Sequence, residues 1–210
     1  MLWDIHTHTS RYSACGRQRP EELVDAAIAV GLQGLVITEH HVVWPPAELA
    51  ELQAYAGDKL KLLSAAEITC RTEEQHFGDY LVYGLQDVSE APRDDPRKLT
   101  EWAHSLGAFV IAAHPYRLGC GCGDLIYELD VDAVEVWNPN HDEEQIALSK
   151  AAAETLDLPA TAASDAHTPS IVGYHVIDSA EPVATLEELI ETIRTRAFEP
   201  LPAFRTSQVS

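Results

Sequence analysis

Residues 2–9 read LWDIHTHT, an apolar strand-like run that ends in two histidines separated by one residue. Residues 34–41 read GLVITEHH, so a second apolar run also ends in a carboxylate and histidines. The segment between the two runs is opened by Pro20, closed by Gly31 and carries apolar residues at helical spacing. This strand–helix–strand order predicts parallel β/α units.

The rest of the chain continues the same alternation. Strand-like runs cover residues 60–69, 79–85, 108–115, 132–139, 158–167 and 174–179, and helical segments cover residues 47–57, 96–106, 142–156 and 185–197. About seven strands separated by helices fit a small, incomplete β/α barrel better than an open sheet. No repeat or linker interrupts the pattern, so we expect an α/β fold with a single domain over residues 1–210 and a polar tail after the last helix.

The charge balance bears on the choice of partner. The chain of 210 residues has 34 acidic and 14 basic residues, a formal net charge of −20. Because an acidic surface repels a phosphate backbone, we expect no long nucleic acid as a partner, whereas a nucleotide is compatible. No apolar run approaches the roughly 20 residues that span a bilayer, and the first residues lack the pattern of a signal peptide. We therefore expect a cytoplasmic protein without membrane contact.

The four cysteines are Cys15, Cys70, Cys120 and Cys122, and no two of them have the Cys-x-x-Cys spacing. Cys120 and Cys122 form a Cys-x-Cys within the glycine-rich run LGCGCGD. In a cytosolic chain we expect reduced thiols, with a structural zinc knuckle as the alternative for this pair.

Histidines and acidic residues gather where the predicted strands end. They are Asp4, His6, His8, Glu39, His40, Glu67, His114, Asp165 and His167. In β/α barrels the carboxyl ends of the strands form the rim that carries the active site. Their placement therefore predicts a functional site at one edge of the fold.

Two of these groups have the spacing of residues that share a face of a strand. His6 and His8 project to the same side, and two neutral imidazoles that converge suit a divalent cation. Histidines that only form hydrogen bonds are the alternative. Asp4 could orient such a ligand or be satisfied by backbone amides. Asp165 and His167 repeat the spacing, with a helix-capping role as the alternative for Asp165.

Glu67 lies within the otherwise apolar run LLSAAEITC. An isolated carboxylate there is costly unless it is paired or bound to a metal, and a salt bridge with Arg71 is the alternative. Glu39 either supports a ligand or faces solvent. His41 points away from His40 and is expected at the rim.

Five motifs in order carry a resemblance to a known family. They are DIHTHTSRYSACG (residues 4–16), ITEHH (37–41), AAEI (65–68), AAHP (112–115) and SDAH (164–167). Together they resemble the polymerase and histidinol phosphatase (PHP) domain family of metal-dependent phosphoesterases, over residues 1–172. The resemblance implies a distorted seven-stranded (β/α)7 barrel, similar to a TIM barrel, with two or three divalent cations such as zinc, manganese or iron.

The resemblance also implies the metal ligands. The first metal is expected on His6, His8, Glu67 and Asp165, the second on Glu67, His76 and His114, and the third on His40 and His167 with a ligand from the loop after the first strand. Many members have an aspartate or histidine in that loop, whereas SRYSACG has neither. Cys15 could serve there as a thiolate, which would favour zinc, or water could complete the shell.

The activity that the resemblance implies is phosphoester hydrolysis through a metal-bound hydroxide, as a phosphatase or phosphodiesterase of a small phosphorylated metabolite or nucleotide. Among the arginines at positions 11, 17, 71 and 117, we favour Arg117, just after His114, as the phosphate-binding group. His167 could protonate the leaving oxygen. The alternatives are a metal-dependent hydrolase of a non-phosphate ester or amide bond, and a non-catalytic metal-binding regulatory domain.

Overall fold

The structure, a computed structural model, describes residues 1–207 and the side chains of residues 1–205. Its strands are β1 (Leu2–Thr7), β2 (Gly34–His40), β3 (Lys61–Arg71), β4 (His76–Tyr83), β5 (Phe109–Ala113), β6 (Ala133–Trp137), β7 (Ala160–Ala162), β8 (Val176–Ser179) and β9 (Phe198–Leu201). Its helices are α1 (Pro20–Ala29), α2 (Pro46–Ala56), α3 (Pro96–Ser105), α4 (Glu143–Thr155), α5 (Leu186–Arg194) and α6 (Phe204–Ser207). Within this described part, no helix is long and apolar enough to cross a membrane.

The strands form one sheet in the order β7-β6-β5-β4-β3-β2-β1-β8-β9. β1, β2 and β3 are parallel to one another, and so are β5, β6 and β7. An isolated bridge between Thr7 and Ala166 joins the end of β1 to the segment after β7, and the amide of His8 donates to Ala166 O at 3.0 Å. The sheet is thus nearly closed, which confirms the predicted α/β barrel, whereas the predicted number of seven strands is wrong because the sheet has nine.

β4 departs from the predicted parallel arrangement. Only residues 72–75 separate β3 from β4, and a parallel crossover needs about a dozen residues or more. The chain therefore turns back as a hairpin, and β4 pairs antiparallel with both β3 and β5. Because β4 is reversed, its first residues lie at the edge where the parallel strands end, as the pairing of Asp79 with Ala113 at the end of β5 shows.

The two additional strands lie beside β1. β8 pairs antiparallel with Leu2 and Trp3, and β9 pairs antiparallel with β8 along its length. The prediction of a polar tail directly after the last helix is therefore wrong for residues 198–201. The outer edge of β8 would otherwise be unpaired, and such an edge readily accepts a further strand. Residues 208–210 of that predicted tail lie outside the described residues.

Alternation along β1 separates apolar packing from the polar site. Trp3 and Ile5 are fully buried in an apolar cluster, while Asp4 and His6 project to the opposite face. Trp3 pairs with Gly34 of β2, and a Cβ on that glycine would lie 2.2 Å from the indole ring. Glycine is therefore required beside Trp3, and this packing fixes the register of β1 that places His6.

Candidate metal centre

The predicted ligands, apart from His76, meet at the edge of the sheet where the parallel strands end. They come from β1 and the residue after it, from β2 and β3, and from the segments after β5 and β7, and in chain order they are His6, His8, His40, Glu67, His114, Asp165 and His167. Side chains far apart in the sequence thus face one another, as expected for the rim of a β/α barrel.

Four residues, here called the core ligands, form the middle of this cluster: His6, His8, Glu67 and Asp165. The Nε2 atoms of His6 and His8 are 3.1 Å apart. Oε1 of Glu67 lies 3.4 Å from His6 Nε2, and Oε2 lies 3.2 Å from His8 Nε2. Oδ1 of Asp165 lies 3.5 and 3.3 Å from the same two nitrogens. All four residues are buried, so two imidazoles and two carboxylates converge away from solvent.

A second group, the outer flank, consists of His8, Cys15, His40 and His167, whose ligand atoms all lie within 4.8 Å of one another. His167 Nε2 is 3.2 Å from Cys15 Sγ, and His40 Nδ1 is 3.2 Å from Glu67 Oε2. The structure thus brings Cys15 to the place where the resemblance implied a ligand from the loop after β1.

A third group, the inner flank, consists of Asp79, His114 and Cys120, and its ligand atoms also lie within 4.8 Å of one another. His114 Nε2 is 3.2 Å from Glu67 Oε1, which connects the inner flank to the core ligands. None of the ligand groups found among the described residues includes Cys122. The zinc knuckle considered for Cys120 and Cys122 therefore has no support in this geometry.

His76 lies beside the inner flank without belonging to any of these groups. It is the first residue of β4 and partly exposed, and its Nε2 is 3.7 Å from Asp79 Oδ1. Asp79, three residues further along the strand, lies next to His114 where the resemblance implied His76. The second predicted metal site thus contains an aspartate that sequence reasoning did not single out.

The charges of the core ligands depend on one another. Burial alone would raise the pKa of Glu67, but the charge of His6 and a hydrogen bond from His114 hold it well below 4.5. Burial opposes protonation of His8 as well, yet Asp165 and Glu67 raise its pKa to about 9. The metal-free cluster is therefore held together by protonated imidazoles and ionised carboxylates. A divalent cation that binds these residues must displace the imidazole protons.

The outer histidines behave differently. Burial lowers the pKa of His40, and burial together with the charge of His8 lowers that of His167. Both imidazoles are therefore neutral at pH 7, which is the form that binds a metal.

Sequence reasoning missed Glu135 in β6. Its Oε1 accepts a hydrogen bond from His6 Nδ1 at 3.0 Å, and its Oε2 accepts from the amide of His114 at 2.9 Å and from Asn138 Nδ2 at 3.0 Å. This carboxylate fixes the ring of His6 so that Nε2 faces the other core ligands. The signal was present in the sequence, because Glu135 is a lone carboxylate in the apolar run AVEVW, as Glu67 is in its own strand.

Arg117 reaches the core ligands from the loop after β5. Its Nη1 donates to Asp165 Oδ2 at 2.9 Å, and Asn140 Nδ2 donates to the same oxygen at 3.2 Å. About a third of the Arg117 side chain is exposed, at 34%. Arg11, by contrast, pairs with Glu48 on the surface. Arg117 is thus placed where one guanidinium edge contacts the cluster and the other can meet a bound molecule.

Asp4 has the simpler of the two roles considered for it. It accepts hydrogen bonds from the amide and hydroxyl of Ser164 and from the amide of Gly173. Burial raises its pKa to about 6. Asp4 therefore anchors the segment that precedes Asp165, and its hydrogen bond with His6 is to the backbone of that residue.

Two further alternatives are decided by contacts. Each ion pair of Glu67 within residues 1–205 is with a histidine, so the salt bridge considered with Arg71 is not formed. Glu39 is fully buried and accepts from the amide of Thr9 and from Trp44 Nε1. It supports the loop after β1 and does not face solvent.

Backbone strain also concentrates at this edge. His114 has a φ of 28° and Asp165 a φ of 47°, in the left-handed region that non-glycine residues rarely adopt. Such strain persists only where surrounding contacts impose it, and it clusters at functional sites. Here the two turns direct an imidazole and a carboxylate toward Glu67.

The donor set fits divalent cations. Imidazole nitrogens, carboxylate oxygens and thiol sulfurs together suit zinc, iron or cobalt. In addition, Oδ1 of the buried Asp79 has no hydrogen-bond partner within residues 1–205, which a cation would compensate. The core ligands and the two flanks could therefore hold two or three ions.

Comparisons with known proteins bear on the family. A family model described as PHP-associated matches residues 143–198. A two-domain protein from Bacteroides vulgatus, described as containing a predicted PHP-like metal-dependent phosphoesterase, gives a TM-score of 0.71 at 18% identity over 97% of this chain. The family model covers only part of the chain, and the shared fold agrees with the resemblance to the PHP domain family that the sequence motifs carry. The chain spans 65% of the length of that two-domain protein.

Two further proteins resemble this chain. Uncharacterized protein MJ1587 of Methanocaldococcus jannaschii is 29% identical in an alignment of 164 positions that covers 71% of this chain and 91% of that protein. An amidohydrolase from Chromobacterium violaceum, with bound sulfate and no metal, gives a TM-score of 0.67 at 16% identity over 96% of this chain and 98% of its own. The structural likenesses show a shared fold, so the activity has to be inferred from the residues of this chain.

Proposed function

We propose that this chain is a metal-dependent hydrolase of the PHP domain family that cleaves a phosphoester bond in a small phosphorylated metabolite or nucleotide. The observation that supports it most is the convergence of His6, His8, Glu67 and Asp165 beside the partly exposed Arg117. Such a cluster can hold cations, and the arginine can bind an anionic substrate next to them.

The residues present divide into those that hold cations and those that orient them. The core ligands would hold one ion, and the outer flank, with Cys15, a further ion. Bound divalent cations supply Lewis acidity and positive charge for hydrolysis. Glu135 keeps His6 in the orientation that binds, and Asp4 keeps the segment before Asp165 in place.

Arg117 is the proposed phosphate-binding residue. Its guanidinium already donates to the buried Asp165, which fixes its position, and about a third of the side chain remains exposed. A planar guanidinium matches two phosphoryl oxygens at once. His167, which we considered as a proton donor, faces Cys15 at 3.2 Å, so we assign it to metal binding instead.

The surface charge supports a small substrate. With a net charge of −20, the chain repels extended polyanions, whereas a single phosphate can be bound by local positive charge. We therefore propose a small molecule and not a long nucleic acid.

The second candidate is hydrolysis of an amide or a carboxylic ester. It is favoured by the Chromobacterium violaceum neighbour, which is described as an amidohydrolase. The same metal ligands would serve both reactions, and Arg117 distinguishes them, because a neutral amide has no need of a guanidinium.

The test is hydrolysis by chelator-stripped protein reconstituted with zinc, manganese or iron(II). The substrates are 4-nitrophenyl phosphate, bis(4-nitrophenyl) phosphate, 4-nitrophenyl acetate and an anilide. We expect metal-dependent cleavage of a phosphate ester, and Arg117→Ala should raise its KM about 10- to 100-fold through loss of charged hydrogen bonds. Arg97→Ala, which removes an exposed arginine paired with Glu128, is the matched control. Metal-dependent cleavage confined to the acetate or anilide would replace the phosphoesterase with the second candidate, and no cleavage in any metal would favour a non-catalytic domain.

A further inference from the structure

The inner flank contains a buried carboxylate with an unsatisfied oxygen. Asp79 is 6% exposed, and its Oδ1 has no hydrogen-bond partner within residues 1–205. The Nε2 of His76 approaches it only to 3.7 Å, which is beyond hydrogen-bonding distance. A buried carboxylate oxygen without a partner is costly, and a cation bound beside it would remove that cost.

His114 presents its two ring nitrogens to different partners. Nε2 lies 3.2 Å from Glu67 Oε1, and Nδ1 lies 4.0 Å from Cys120 Sγ. When one imidazole nitrogen binds a metal, the other carries a proton and donates it to a carboxylate or carbonyl. His114 can therefore bind a cation through Nδ1 while its Nε2–H donates to Glu67.

The loop after β5 holds Cys120 beside this imidazole. The amide of Gly121 donates to Arg117 O at 2.8 Å, which closes a turn around Cys120. A Cβ on Gly121 would lie 2.2 Å from Pro115 O, so only glycine permits so close a turn. The thiol is thus carried by a backbone that its neighbours fix.

We propose that Asp79, His114 and Cys120 bind one divalent cation through a carboxylate oxygen, an imidazole nitrogen and a thiolate. Their ligand atoms lie within 4.8 Å of one another, compared with roughly 3.3–3.8 Å around a tetrahedral zinc ion. Small side-chain rotations therefore suffice to bring them onto one ion. This inference rests on the proposed function. A cation bound by the inner flank would complete the same metal centre, with Asp79 in the place expected for His76.

The thiolate of Cys120 determines which cations the inner flank would select. A thiolate favours zinc, cobalt or iron(II) over magnesium and calcium, which prefer oxygen ligands. Three protein ligands leave a fourth position of a tetrahedral ion open, as in zinc sites that bind water or substrate.

The test uses cobalt(II) alone as the probe. Cobalt bound by a thiolate gives a charge-transfer band in the near ultraviolet, and Cys15→Ser serves as the background so that the outer flank contributes no such band. In chelator-stripped protein reloaded with cobalt, we expect Cys15→Ser to show the band. Cys15→Ser with Cys120→Ser should lose both the band and one equivalent of cobalt by elemental analysis. Cys15→Ser with Cys122→Ser is the matched control from the same loop and should keep both.

Asp79→Asn provides a second variant of nearly the same size, with folding checked by far-ultraviolet circular dichroism. Asp79→Asn should lose the same equivalent of cobalt. His76→Ala should lose less cobalt than Asp79→Asn does. An unchanged band and cobalt count after Cys120→Ser would overturn the inference and reduce Cys120 to a hydrogen-bond partner of His114. A parent chain that binds no cobalt would also overturn the inference.

These readouts need no substrate, which separates the inference from the proposed function. If the protein shows the Cys120-dependent band and hydrolyses no phosphoester, the inner-flank site is supported and the proposed activity is wrong. If it hydrolyses phosphoesters and shows no such band, the activity is supported and the inner-flank site is wrong.

Discussion

The outer and inner flanks of the metal centre both combine histidine with cysteine, yet they differ in exposure and in origin. In the outer flank, 30% of the His40 side chain and 28% of the His167 side chain are exposed, whereas Asp79 and His114 of the inner flank are 6% and 2% exposed. The outer histidines follow parallel strands, while Asp79 comes from the reversed strand β4. The difference teaches that one candidate centre can have a side more open to exchange with solvent and a side more enclosed, where only Cys120 is partly exposed.

The largest effect is expected among the core ligands. Asp165→Asn removes the carboxylate that contacts His6 and His8 and that also contacts His167 of the outer flank. We expect loss of bound metal and a fall in phosphoester hydrolysis beyond the roughly 100-fold that residues outside the ligand shell cost. Elemental analysis and turnover measure it, with Asp87→Asn on an exposed loop as control. Full metal content and turnover in Asp165→Asn would contradict the assignment of the core ligands.

The pH dependence of stability separates His8 from His40 and His167, whose pKa values are lowered, in metal-free protein. Burial opposes protonation of His8, but Asp165 and Glu67 raise its pKa from 6.5 to about 9. The folded state thus binds a proton more tightly, and this stabilisation is present below pH 6.5 and lost as the pH rises through about 9. It amounts to on the order of 3 kcal/mol. The urea midpoint of unfolding of metal-free protein should fall as the pH rises across this window. The midpoint of metal-loaded protein, in which His8 is neutral, should not show this fall. The same pH dependence in both forms would count against His8 as a ligand.

Glu135→Gln sharpens the comparison, because Glu135 contacts the core and the inner flank and not the outer one. It hydrogen bonds His6 Nδ1 and the amide of His114. We expect metal affinity to fall about 10- to 100-fold for the ions at these residues, as for other partners of ligand histidines. Competition with a chromophoric chelator measures the affinity of each equivalent, and Glu128→Gln on the surface is the control. Equal weakening of every equivalent would show that Glu135 acts on the fold as a whole.

The smallest effect is expected at the exposed edge. Cys15→Ser should lower bound metal by up to one equivalent, because the sulfur lies 3.2 Å from His167 Nε2. In the parent chain, the same equivalent should be the first that a chelator removes, since His40 and His167 are partly exposed. Timed chelation followed by elemental analysis tests both statements. An unchanged metal count in Cys15→Ser removes this cysteine from the centre.

The difference between the flanks also explains what the sequence could predict. Alternating apolar runs and helices predicted the barrel, histidines and acidic residues at strand ends predicted a functional site, and the resemblance implied which of them are the core ligands. The reversal of β4 follows from a loop of four residues, 72–75, and it moves the start of that strand to the site. A search of strand ends therefore could not find Asp79.

Glu135, and the place of Cys120 beside His114, were missed for a different physical reason. Both residues contact the site through partners more than five residues away along the chain, and no short motif contains both members of a pair. Lone carboxylates in apolar strands are the usable signal, because burial makes such groups costly without a partner. Applied to β6 as it was to β3, that criterion would have singled out Glu135.

The central claim is that this edge of the barrel is a metal centre, and metal content tests it most directly. The measurement is elemental mass spectrometry on protein purified without chelator or nickel affinity resin, before and after reconstitution with zinc, manganese or iron(II). We expect two or three equivalents per chain, with an equivalent lost in Cys120→Ser and another in Cys15→Ser. A chain that is purified without metal and takes up none on reconstitution would contradict the account and leave these histidines to the fold or to a partner.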